Sequence, residues 1–472
     1  MKSVIGLFLV AISSPVFSKG ISPYLPIALS PEVELQIDRV MALTPATPLT
    51  KPYKTVDLLE RLDLIKQSHP VLYTTLSKYL DRYKQTGLTH GAIKLSGSSG
   101  DGEVATSVNG RGIPLHSNYQ IELGAITYLG PYMYASGGFI YDDVNNLTHH
   151  NTHVAVGNQY IQMELGYREH WFSPFKDSAM LVSTHAAPSE SITISNATPY
   201  TAWDIRFEMF YSQLEEVEQI VLGDETFPGR PRHAGLHLSF SPFDFWTIGL
   251  NRTLQFGGGK RSVDVGDVFE ALFDPAGKDN VGDANNDDPN FEFGNQQASV
   301  TTQFNFDLGM PVSIYAEYAG EDTVDESNFK LGNDSKALGI YLPILSDNIS
   351  MRYEVTHWAD RWYVHHLYPA GYTNDGTIMG HWGGSRRLSS DAIPATAHSM
   401  NVMWQFTQDQ LVDVTLRTVN NDGSNRAEYE RSVEADIRYS FANRYGFWGA
   451  TLTSGKDTFG ESYTRLTGFY RW

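Results

Sequence analysis

Between His357 and Pro394 the sequence gathers flat aromatic rings, guanidinium groups and imidazoles into one segment. Trp358, Trp362, Tyr363, Tyr368, Tyr372 and Trp382 offer ring faces. Arg361, Arg386 and Arg387 offer planar cations, and His365, His366 and His381 can donate or accept. Sugar recognition calls for this mixture. Ring faces take the C–H side of a pyranose, planar polar groups meet hydroxyls, and Arg holds a carboxylate through two parallel hydrogen bonds. The segment is therefore the candidate site for a polysaccharide, especially an acidic one, with Trp358, Arg361, Trp362, Tyr363, His365, Tyr368, Trp382, Arg386 and Arg387 as contacts. Two other roles suit the same composition. One is a loop folded into an interior with its arginines paired to wall carboxylates. The other is an aromatic belt at a membrane interface.

Other clusters invite chemistry, and each lacks a part. Asp279, Asp283, Asn285, Asp287 and Asp288 begin with the spacing of a calcium loop. Asp288 then stands where Gly is needed and Gly294 where a bidentate Glu belongs, so an ordinary solvated loop is expected. His149, His150 and His153 lack a ligand spacing, as do His365 and His366. Neighbours in a strand face apart, so these histidines are expected at the surface without a metal. Ser117 beside His116 and Ser399 beside His398 suggest nucleophiles, but adjacent strand residues again diverge, and no G-x-S-x-G elbow is present. No catalytic residue, metal or cofactor is expected, and the chain does not read as an enzyme.

The elements that must position the aromatic segment are strands. From Arg431 to Phe441, Val433, Ala435, Ile437, Tyr439 and Phe441 share one face, while Glu434, Asp436 and Arg438 share the other. The same alternation runs through 203–211, 297–308, 349–356 and 411–419. Both ends assign this pattern to an outer membrane. Met1–Ser18 has the form of a secretory signal, with Lys2, an apolar core at Val4–Ile12 and a small-residue cleavage site before Lys19. At the other end Leu466, Gly468, Tyr470 and Trp472 share a face. A closing barrel strand with an interfacial aromatic takes this form, and Trp472 resembles the signal that barrel-assembly machinery recognises.

Composition agrees. Mean hydropathy is −0.30, and no apolar run is long enough for a spanning helix. Cys is absent, so no disulfide holds the fold. With 54 acidic against 35 basic residues the net charge is −19, which disfavours a nucleic-acid partner.

Residues 19–88 differ from the rest. Ser30-Pro31 opens a helix carrying Val33, Ile37, Val40 and Met41. Thr55 caps a second, Ser68 and Pro70 open a third, and Gly87 ends it. Three short amphipathic helices cannot bury much alone, so a bundle plugging the periplasmic mouth of a barrel is expected. Residues 89–472 read as the barrel, an all-β transmembrane sheet of about 18 antiparallel strands. Strands at 103–108 and 178–184 are among those expected. Arg206, Glu208, Arg352, Glu354, Asp413, Arg417, Glu434, Asp436 and Arg438 face the lumen. They suit either a passive channel for small solutes or saccharides, or a closed interior with paired charges.

The chain also resembles a known family. Leu222–Arg261 reads LGDETFPGRPRHAGLHLSFSPFDFWTIGLNRTLQFGGGKR, Gly277–Asn280 reads GKDN, and Gly294–Gln297 with Val312–Asp322 reads GNQQ and VSIYAEYAGED. Tyr368–His381 is YPAGYTNDGTIMGH, and Ser22-Pro23-Tyr24-Leu25-Pro26 stands near the start. In this order the motifs resemble the Wzi family of capsule assembly proteins. The resemblance implies an outer-membrane barrel of about eighteen strands with a helical bundle at its periplasmic end. It further implies a surface lectin that holds capsular or other exopolysaccharide and is not the export channel.

Overall fold

The computed structural model describes residues 20–472 except 101–105, 274–291, 322, 325–326, 389–390 and 424–426. The expected calcium-loop residues lie in 274–291, outside the described residues. The wall comprises β1 (Gly87–Gly100), β2 (Tyr119–Gly130), β3 (Met133–Asp142), β4 (Asn146–His149 continued by Thr152–Gly157), β5 (Gln162–Tyr167) and β6 (Glu190–Ser195). It continues through β7 (Arg206–Gln213), β8 (Arg232–Phe243), β9 (Trp246–Phe256), β10 (Gly294–Asp307), β11 (Pro311–Glu321) and β12 (Ser335–Ser346). It ends with β13 (Ile349–Trp358), β14 (Ala395–Thr407), β15 (Gln410–Asn421), β16 (Ser432–Asn443), β17 (Gly446–Lys456) and β18 (Ser462–Arg471). Both pieces of β4 pair with β3, so these are 18 antiparallel strands. Each pairs with the next in sequence, and β18 pairs with β1 to close the barrel. Closure leaves no unpaired sheet edge.

The alternation that predicts strands also orients them. On β16, Val433, Ile437, Tyr439 and Phe441 are exposed on the outer surface, while Ser432, Glu434 and Ser440 are buried inside. The two ends of the barrel differ. Turns of two to four residues join β2 to β3, β4 to β5, β8 to β9, β10 to β11, β12 to β13, β14 to β15 and β16 to β17. The opposite end carries the long segments 168–189, 214–231, 257–293 and 359–394. Around the short-turn end runs an aromatic girdle. Phe243, Phe245, Trp246, Phe304 and Phe306 make one set of ring contacts, and Trp448, Tyr470 and Trp472 make another. The Trp472 ring lies over Gly91, where any Cβ would collide with it.

The helices α1 (Pro31–Leu43), α2 (Thr55–Ile65) and α3 (Pro70–Leu80) form the expected bundle around Val33, Ile37, Val40, Leu58, Leu62, Leu76 and Leu80. A short helix α4 (Val265–Phe273) lies between β9 and β10. The N-terminal helices start slightly differently from the sequence reading. Ser30 makes no side-chain cap, Lys54 precedes α2 with Thr55 as its first residue, and His69 precedes α3. The bundle is held to the wall at the short-turn end. Leu35 packs on Met403 and Leu411. Asp38 pairs with Arg352 at 2.8 Å, Asp57 with Arg206 at 2.6 Å, and Arg39 Nε donates to Pro343 O at 3.2 Å.

The interior is filled from the other end as well. The β5–β6 connection dips into the lumen, and there Trp171 and Phe172 pair antiparallel with Lys51 and Thr50. Lys51 Nζ donates to Phe175 O at 2.9 Å, and Lys176 Nζ reaches Asp38 at 3.1 Å. Burial holds the Lys51 ammonium down to about 7, with Lys176 adding repulsion that Asp38 partly offsets. The strand expected at 178–184 is part of this descending connection and not of the wall. Its backbone pairs inside the lumen instead: Phe172 N donates to Val182 O at 3.3 Å, and Ser183 N to Met379 O at 2.8 Å. The strand expected at 103–108 is likewise absent at 106–108, the part of it that is described.

Candidate functional site

The long-loop end is closed by three segments folded onto one another: 106–118, 168–189 and 359–394. Their shared core contains Met180, Leu181, Trp358, Trp362, Tyr363, Tyr372, Ile378 and Trp382. Tyr363 organises it. Its hydroxyl donates to Met180 O at 2.5 Å and accepts from the His381 amide at 2.6 Å. Gly380 must be glycine here, because a Cβ would lie 2.3 Å from Tyr363 Oη and 2.5 Å from Met180 O. The Ser183 amide donates to Met379 O at 2.8 Å, and its hydroxyl to Gly380 O at 2.6 Å. The amides of Arg111 and Gly112 donate to Thr184 O and His185 O, bringing in the first segment. Backbone polar groups that a buried loop would otherwise strand are thus paired loop to loop.

Eight of the nine sequence-predicted contacts are inside this cap. Trp358, Trp362, Tyr363, Tyr368, Trp382, Arg386, Arg387 and His365 are buried, and Arg361 is exposed. Their partners are protein. Trp382 Nε1 donates to Asp177 Oδ2 at 3.0 Å, and Tyr368 Oη to Gly257 O at 3.1 Å. Arg386 Nη2 donates to Thr106 O at 3.0 Å, and Arg387 donates to Trp362 O and Ile393 O. With their faces covered, these rings and cations pack against protein and build the cap. Burial pushes the His381 imidazole down to about 4 and keeps it neutral. His185 is likewise lowered, by burial and then by Arg386.

Beneath the cap the wall charges pair largely with the inward chain. Arg417 binds Asp177 at 2.8 Å, Glu434 at 3.1 Å and Asp436 at 2.6 Å. Glu354 accepts the amides of Lys176 and Asp177, both at 2.9 Å. Glu208 binds Arg168 at 3.2 Å and His170 at 2.7 Å. The remaining space is a cavity of about 380 Å³ between bundle and cap, lined by Lys51, Arg111, Lys176, Asp177, Arg417 and Asp436, among others. Strand alternation anticipates the lumen-facing charges. It carries no sign that Asp177 comes from a loop to meet Arg417, or that Met180 and Ser183 of the same loop pair with Tyr363, Met379 and Gly380.

The histidines depart from expectation. His150, His153 and His365 are buried, His149 is half-buried against Tyr167, and His366 is exposed. His365 and His366 lie in a turn, not a strand, so both reach Glu292, at 3.2 and 2.9 Å. Burial favours the protonated form of Glu292, but these two imidazoles outweigh it and hold the carboxyl at about 2. The suggested nucleophiles are not assembled. Ser117 Oγ donates to Asp143 at 2.8 Å, and Ser399 faces the lumen while His398 faces outward. Ser191, His170 and Glu208 form a buried row at 3.5 and 2.7 Å. The Ser191 hydroxyl, however, lies at 3.2 Å from Gly166 O, which accepts its proton. In this arrangement the Ser191 proton points to Gly166 O and not to His170.

The profile of the family described as capsule assembly protein Wzi matches residues 85–457. Among solved structures, the outer-membrane protein Wzi from Escherichia coli, described as a carbohydrate-binding β-barrel involved in group 1 capsule assembly, superposes with a TM-score of 0.69. It is 14% identical, and the match covers 93% of this chain and 97% of that one. OprD from Pseudomonas aeruginosa matches with a TM-score of 0.45 at 8% identity, covering 82% of this chain and 94% of that one. Acinetobacter baumannii OccAB2 matches with 0.46 at 8% identity, covering 81% and 97%. No curated protein sequence matches significantly. The barrel agrees with the E. coli fold, and the profile spans most of the chain: this protein belongs to the capsule assembly protein Wzi family.

Proposed function

We propose that this protein is an outer-membrane lectin that holds capsular or secreted polysaccharide at the cell surface through the outer face of its loop cap. The reading rests on one observation above the others. The lumen is filled from both ends by chain that is hydrogen-bonded to itself and to the wall, so the long-loop end is a built surface and not a pore mouth. Family membership and the carbohydrate binding described for the E. coli relative support the same reading. In this arrangement the short-turn end faces the periplasm, with residues 19–88 as its plug, and the long loops face outward. The outer surface meets lipid, and Trp472 serves barrel assembly.

Of the predicted contacts Arg361 is exposed, as is His366 in the same loop, and we assign the glycan contact to this exposed pair. The other eight are buried in the cap. Replacing Arg361 with Ala is expected to release surface glycan into the medium while synthesis and barrel folding continue. Unchanged retention removes Arg361 from the site, and full retention after deletion of the gene overturns the lectin reading. The competing role as a passive channel is tested by conductance in a planar bilayer. The packed lumen predicts no steady open current.

A further inference from the structure

Away from the loop cap, three wall residues converge without satisfying one another. His90 on β1, Glu122 on β2 and His150 at the break in β4 bring one ligand atom each to within 4.8 Å of the others. Glu122 Oε1 lies 3.6 Å from His90 Nε2 and 3.9 Å from His150 Nε2, both beyond hydrogen-bond length. All three atoms are buried and, among the described residues, have no hydrogen-bond partner. His150 is 0% and Glu122 7% exposed. Buried ionisable atoms without partners are costly, and their clustering needs a reason.

The wall is shaped to allow this convergence. β4 breaks at His150–Asn151, where Asn151 takes a φ of 46°, and the break carries the His150 ring to the buried side. Two glycines make room. A Cβ on Gly124 would stand 2.1 Å from the His90 ring, and one on Gly138 would stand 2.3 Å from the His150 carbonyl oxygen and 3.1 Å from its ring. Thr89 Oγ1, 3.0 Å from His90 Nδ1, can accept its N–H and so leave a lone pair on Nε2. The nearby Arg111 is already paired with Glu169 at 2.5 Å, so its charge is not left to occupy Glu122.

We propose that His90, Glu122 and His150 form a divalent transition-metal site, with zinc as the best-matched ion. Two imidazoles and one carboxylate are a familiar zinc donor set that leaves a fourth position for water. Tetrahedral bonds of about 2.0 Å place ligand atoms roughly 3.3 Å apart, so the two Glu122 spacings close by roughly half an ångström, and even the 4.8 Å outer limit closes by about 1.5 Å shared between two side chains. The ion ties β1, β2 and β4 together beside the β18–β1 closure. This inference does not rest on the polysaccharide reading.

The test uses the full-length protein purified in detergent, stripped with a chelator and titrated with Co²⁺ alone. Both His365 and His366 are first changed to Gln, so that the Glu292 cluster cannot contribute. The expected result is one Co²⁺ per chain with the visible spectrum of a four-coordinate site, displaced by Zn²⁺. Adding His90→Gln and His150→Gln abolishes it while the barrel keeps its folded gel mobility. If that variant does not fold, zinc-edge X-ray absorption on the unaltered pair reports two imidazole ligands. No binding by the folded protein, undiminished binding by the folded variant, or an absorption spectrum without imidazole overturns the proposal.

Discussion

Arg417 is the residue whose loss should most informatively loosen the loop segment that descends into the lumen. It stands on the barrel wall and holds three carboxylates: Asp177 from the inward loop, and Glu434 and Asp436 from the adjacent strand. Arg417→Met keeps much of the volume and removes the charge. Removing one partner of a buried ion pair costs about 3–5 kcal/mol because the remaining charge is stranded. The polar cavity beside these groups softens that penalty, so the lower end, about 3 kcal/mol, is expected. The loss should fall on segment 168–189 and not on the sheet, because the strands keep their ladder. Limited proteolysis of the detergent-solubilised protein should therefore show new cuts in 168–189 with the heat-resistant barrel intact. Asp177→Asn in the same background removes one of the repelling charges and should restore part of the resistance, a coupling of about 0.5–3 kcal/mol in a double-mutant cycle. An Arg417→Met protein with the parental cleavage pattern would refute the claim that the wall charges hold segment 168–189.

Three further outcomes follow from the same geometry. Gly380→Val should drive a side chain into Tyr363 Oη and Met180 O, opening the cap to protease and producing current bursts in a bilayer where the parent gives none. Acidification should have a similar effect on the cap. His381 has a folded pKa of about 4 against about 6.5 in the unfolded chain. The unfolded state thus binds the proton first, and cap stability falls as pH drops from about 6.5 toward 4 and is level above 7; His185 acts in the same direction. Protease resistance measured across that range checks the sign, and flat resistance refutes it. Trp472→Ala removes a ring from the girdle contact with Tyr470 and Gly91, and should lower the amount of folded protein in the outer membrane without changing its cavity.

The barrel was readable because lipid and lumen impose opposite demands on alternate residues. Val433 to Phe441 obeys them without exception, and so do the lumen charges. The helical bundle was readable from Pro31, Pro70 and the 3.6-residue spacing between them. The cap was not. A ring that stacks on sugar and a ring buried under a loop are the same residue, and composition alone cannot separate Trp362 from an exposed tryptophan. The histidines misled for a local reason. The rule that neighbours face apart holds within a strand, but His365 and His366 occupy a turn, and Asn151 breaks the strand at His150. Residues 178–184 misled because an apolar run buried inside a lumen has the look of a strand buried in a sheet.

The short ladder between Thr50–Lys51 and Trp171–Phe172 ties the two ends of the molecule together. A peptide near the start of the chain shares hydrogen bonds with one that belongs to a distant connection, and the cylinder surrounds both. Withdrawing the N-terminal helices from the lumen therefore means breaking this ladder, so the periplasmic stopper and the descending loop are mechanically one unit.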